Sequence, residues 1–104
     1  MSAKQTKGKV VIDKSKNKYK KYSAVFYDDN SKKIKTINFG SKNMDDYTIT
    51  GDKAQRTRYL NRHRKRENWN DPMTAGALSR WILWGDSKNI NTNIKMFKKK
   101  FKLK

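Results

Sequence analysis

Five large apolar side chains fall within the seven residues from Leu78 to Trp84: Leu78, Trp81, Ile82, Leu83 and Trp84. The chain as a whole is dense in lysine and arginine, 27 against 9 acids, for a net charge of +18. Leu, Ile, Val and Phe together make up less than a fifth of it, a scarcity that goes with disorder unless the apolar groups gather in one place. This short segment therefore decides whether the chain is a charged tail or a folded body that presents charge. Leu78, Trp81 and Ile82 stand at i, i+3 and i+4 and share one face of a helix. Leu83 and Trp84 widen that face, and aromatic rings bury large areas each. The core reading is preferred over an exposed aromatic patch. Asp71 and Pro72 read as the cap and first residue of this helix, and Gly85 as its stop.

A second stripe, Ile90, Ile94, Phe97 and Phe101, recurs at spacings of 4, 3 and 4, the period of a helix. Docked on the tryptophan helix, it completes a core expected to hold Leu78, Trp81, Ile82, Trp84, Ile94, Phe97 and Phe101. Tyr22–Tyr27 and Ile34–Phe39 alternate as strands around the turn sequence Asp28-Asp29-Asn30-Ser31, because Asp and Asn bond locally and tolerate left-handed backbone. The stretch from Lys9 to Asp13 is a candidate third strand. The expected fold class is α+β: an antiparallel hairpin or small sheet, then about three short helices. Residues 1–21 are lysine-rich and read as a flexible basic arm, with one domain over 22–104.

The third element is a helix over 53–66, capped by Asp52. Its cations are Lys53, Arg56, Arg58, Arg62, Arg64, Lys65 and Arg66, with no acid among them. Like charges at this spacing repel, and bound anions relieve the repulsion. Arginine outnumbers lysine here, and its fork matches phosphate oxygens bidentately. These seven residues, with Lys98, Lys99 and Lys100 near the C-terminus, are the expected nucleic-acid-binding set.

Catalysis finds little support. There is no cysteine and a single histidine, and His63 has no evident orienting carboxylate or second ligand in its neighbourhood. The acids Asp45, Asp46, Glu67, Asp71 and Asp86 match no metal-ligand spacing. No glycine-rich phosphate loop or nucleophile elbow is present. The expectation is a non-enzyme with no catalytic residue, metal or cofactor.

The run from Asp45 to Phe101 contains "DYT", "RH", "ENW", "DP", "TAGALSRWILWG" and a closing aromatic-basic stretch. It resembles a family of short basic proteins encoded by nucleocytoplasmic large DNA viruses. That resemblance implies a setting, a virion protein found in the host cytoplasm or nucleus during infection, and no chemistry.

The charge itself specifies polyanionic partners. Duplex DNA, held through phosphates without strong sequence preference, ranks first. Acidic faces of coat proteins, bound by a minor capsid protein, rank second, and an anionic membrane surface third.

Overall fold

The computed structural model describes residues 8–104. A three-stranded antiparallel sheet comes first, with β1 at Lys9–Lys14, β2 at Lys20–Tyr27 and β3 at Lys33–Ser41 in that spatial order. The helices follow: α1 (Tyr47–Thr50), α2 (Lys53–His63), α3 (Ala75–Leu78) continuing into a π-helical turn (Ser79–Leu83), and α4 (Ile90–Lys100). The class is α+β, as the sequence implies.

Strand alternation sets the core. Val10 pairs with Phe26, Ile12 with Ala24, Ala24 with Ile37, and Tyr22 with Phe39. A period of two puts these side chains on one face, and Val10, Ala24, Phe26 and Phe39 are buried there. In the connecting turn the Asp28 carboxylate accepts from the amides of Asn30 and Lys32. The left-handed residue is Ser31 (φ 65°) and not one of the Asp or Asn residues.

The sheet begins at Lys9, inside the stretch read as an arm. Its first strand is also the landing point of the C-terminus: the Lys104 amide donates to the Gly8 carbonyl at 3.0 Å, and the Val10 amide donates to the Lys104 carbonyl at 3.1 Å. Leu103 is buried beside it. Residues 8–21 thus belong to the sheet and its first connection, while residues 1–7 of the expected arm lie outside the described residues.

The tryptophan helix starts later than expected. Asp71 forms a local turn, its carboxylate accepting from the Met73 amide. The cap is Thr74, extended at φ −128°, whose hydroxyl accepts from the Ala77 amide. After Leu78 the helix widens, and the Trp84 amide reaches back five residues to the Ser79 carbonyl at 2.9 Å. This wider turn lets three consecutive side chains, Ile82, Leu83 and Trp84, point inward together. Gly85 is not a left-handed stop. A Cβ there would lie 2.3 Å from the Trp81 carbonyl oxygen, so glycine permits a close approach of backbone to backbone.

Asn93 explains how α4 is held at that place. It is 1% exposed. Its amide donates to the Ile82 and Ser87 carbonyls, and its oxygen accepts from the Ser87 amide. A buried amide this well bonded fixes the docking of α4 as firmly as its apolar stripe. Leu78, Ile82, Trp84 and Phe97 are buried, and Trp81, Ile94 and Phe101 pack on them part-exposed. The Phe97 and Phe101 rings meet at 5.0 Å.

Candidate functional site

Asp52 starts α2 by accepting from the Ala54 and Gln55 amides. The helix ends at His63, three residues short of the expected Arg66, because the Arg66 amide closes a tight turn onto the His63 carbonyl. Lys53, Arg58, Arg62, Arg64, Lys65 and Arg66 are exposed. Among the described residues, none of these six has an ion-pair partner.

Arg56, the seventh, is turned inward. Its Nε donates to the Trp84 and Gly85 carbonyls, and its Nη2 donates to Asp86 at 2.9 Å. Carbonyls at a helix end lack donors of their own, and Arg56 supplies them. It ties α2 to the end of the π-helical turn, whereas the other six cations of the expected binding set in this segment point to solvent.

Two cations from different elements meet over Trp81. Arg80 lies 4.2 Å from its ring centroid and Lys100 4.5 Å. Arg80 also lies over Trp69 at 5.2 Å and donates to the Trp84 carbonyl. Burial first, then the neighbouring Arg56, pulls its pKa down, and Arg64 adds to the effect. Its Nε is buried and unpartnered. Trp81 is itself anchored, its indole donating to the Trp69 carbonyl at 2.8 Å. Lys99 is exposed and Lys98 half-buried on the same last turn of α4.

On another side, a cleft of about 730 Å³ opens between β2–β3, the loop before α1, and the helices α2 and α3. Arg58 and Arg62 of α2 and Lys20 and Lys21 of β2 line it. The floor is an aromatic stack: Tyr59 lies between His63 (4.1 Å) and Trp84 (4.2 Å, 6° between planes). Glu67, four residues on from His63, supplies the carboxylate that the sequence reading overlooked. It meets His63 Nδ1 at 3.0 Å and accepts from the Trp69 indole at 2.9 Å. Gly76 makes room for it, since a Cβ there would stand 2.8 Å from the Glu67 carboxyl carbon. Lys21 pairs with the buried Asp46 at 2.7 Å, and Asp46 in turn caps α1 through the Thr48 amide. Among the described residues no three His, Cys, Asp or Glu side chains gather to hold a metal ion. No described helix is long and apolar enough to cross a membrane.

The model of the family of unknown function DUF5754 matches residues 10–63. The chain belongs to this family. The DUF5754 span runs from β1 through α2. It therefore holds Lys20, Lys21, Arg58, Arg62 and His63, and stops short of Glu67 and the tryptophan helix. The stretch "TAGALSRWILWG" lies outside it. No curated protein and no solved structure matches the chain.

Sequence reasoning missed Lys20, Asp45 and Arg80 as members of these surfaces. Arg80 alone left a signal, a lone cation inside an apolar run where it must stack on rings or reach a carbonyl. Lys20 and Asp45 meet the cleft only through the tertiary fold.

Proposed function

We propose that the chain is a non-catalytic nucleic-acid-binding protein of a virus particle. It holds duplex DNA through phosphate contacts and reads little sequence. The observation that carries this reading is the block over residues 53–66, α2 and the turn after it: six exposed cations without an ion-pair partner among the described residues. Exposed arginines unmatched by carboxylates are available to phosphate forks. A second block at the end of α4 adds Lys99 and Lys100, both exposed, with Lys100 over Trp81. The viral setting rests on the sequence resemblance over residues 45–101.

The experiment is a mobility shift on random duplex DNA over a salt series. With about six phosphates contacted, log K falls with log salt at a slope of about −5, a loss of about a thousandfold from roughly 50 to 200 mM. Changing Arg62, Arg64 and Arg66 together to Gln lowers the slope by about 3 and weakens all sequences alike. Changing Arg56 to Gln costs stability rather than slope. No shift at the lowest salt removes the proposal.

A further inference from the structure

The cleft beside α2 does something a flat cationic surface does not: it forms a concavity open to solvent. Its volume of about 730 Å³ lies within the roughly 300–1,000 Å³ of small-ligand sites. Its charges sort themselves. Lys21 and Asp46 satisfy each other, and Glu67 is taken up by His63 and Trp69. Lys20, Arg58 and Arg62 remain, with Asp45 as a further charge lining the same space. Among the described residues Asp45 has no ion-pair partner.

Arg58 and Arg62 are one helical turn apart and so neighbours on one face. Lys20 lines the same cleft, so three cations are on offer to a phosphate group, the arginines with bidentate geometry. Gln55 adds a neutral donor: its carbonyl oxygen is used by the Thr50 hydroxyl, which leaves its amide hydrogens to the cleft. Asp45 asks for the opposite. An ionised carboxylate only accepts hydrogen bonds, so the occupant must bring donors as well as a phosphate. The backbone of duplex DNA has no hydroxyl to give, and Asp45 repels it. A stacked base is also disfavoured, because both faces of Tyr59 are already covered and Trp84 is buried.

We infer that the cleft binds a phosphate monoester that carries hydroxyl groups, a sugar phosphate in chemical class. Phosphate lies against Arg58, Arg62 and Lys20, and hydroxyls donate to Asp45. The inference rests on the cavity and not on the DNA-binding reading, although Arg58 and Arg62 take part in both.

Calorimetric titration of the full chain with ribose 5-phosphate, inorganic phosphate and ribose tests it. Ribose 5-phosphate binds about tenfold more tightly than phosphate, the worth of a hydrogen bond to a charged group, and ribose alone gives no heat. Asp45→Asn keeps phosphate binding and loses the tenfold preference. Arg58→Gln with Arg62→Gln loses both ligands, while Arg64→Gln with Lys65→Gln loses neither. Equal affinity for phosphate and ribose 5-phosphate overturns the proposal. So does undiminished binding by a folded Arg58/Arg62 variant, its fold checked by an unchanged melting curve. A chain that takes the sugar phosphate but shifts no DNA loses only the function proposed above. One that shifts DNA but takes no sugar phosphate loses only this inference.

Discussion

Tyr59 shows how a single side chain couples the floor of the cleft to the stability of the whole. Burial and the nearby Glu67 push its hydroxyl up to about 12, against about 10 in an unfolded chain. The fold therefore prefers the neutral phenol. That preference is complete below pH ~10 and is lost as the pH climbs to ~12, because the unfolded chain ionises first and is stabilised. Two units would correspond to about 2.7 kcal/mol, and partial exposure of the ring reduces this to about 1–2 kcal/mol. Tyr59→Phe has no such proton to lose. Denaturant titrations between pH 9 and 12 should show the parent losing that much more stability than the variant. Parallel pH curves for the two proteins would show that Tyr59 ionises alike in both states.

At the level of elements, local chemistry was legible and packing chemistry was not. The hairpin and the Asp52 cap follow from neighbouring residues alone, so sequence suffices for them. α1 had a readable signature, Asp46 before it and Gly51 (φ 65°) after it, but four residues give too little period to notice. The tryptophan helix misleads for a physical reason. Asp71-Pro72 has the grammar of a helix start, yet its carboxylate closes a turn one step earlier and leaves the capping to Thr74. The π-helical turn escapes detection because a 3.6 period cannot place Ile82, Leu83 and Trp84 inward at once. For the candidate site, the exposed cations of α2 could be read from charge alone. The inward turn of Arg56 and the cleft could not, since each joins separate segments; the His63–Glu67 pair, only four residues apart, was within reach of the sequence and was missed. The cap assignment is open to measurement. Thr74→Ala removes the acceptor for the Ala77 amide and should cost about 1 kcal/mol. Asp71→Ala, which opens only a solvent-exposed turn, should cost less than half as much. Urea midpoints decide, and the reverse order would return the cap to Asp71.

The whole molecule balances a small core against a large charge. Its radius of gyration is 13.5 Å, close to the ~13 Å of an ordinary domain of this length, yet it confines a net charge of +18. Such a body strains against its own repulsion, and two remedies act on it in opposite ways. Salt screens the cations over about 10 Å at 0.1 M, so the melting temperature of the free protein should rise by several degrees between about 20 and 500 mM salt. Duplex DNA neutralises the same cations by contact. At a concentration of about 100 times its dissociation constant it adds about 2.7 kcal/mol, a rise on the order of 10 °C or more for a domain this small. That second gain depends on counterion release and fades as salt is added. Melting curves with and without DNA should therefore start far apart at low salt and converge at high salt on a value above that of the free protein at low salt. If salt instead lowered the melting temperature of the free chain, the cations would not be held close enough to repel. The fixed array on which both proposed sites depend would then be absent.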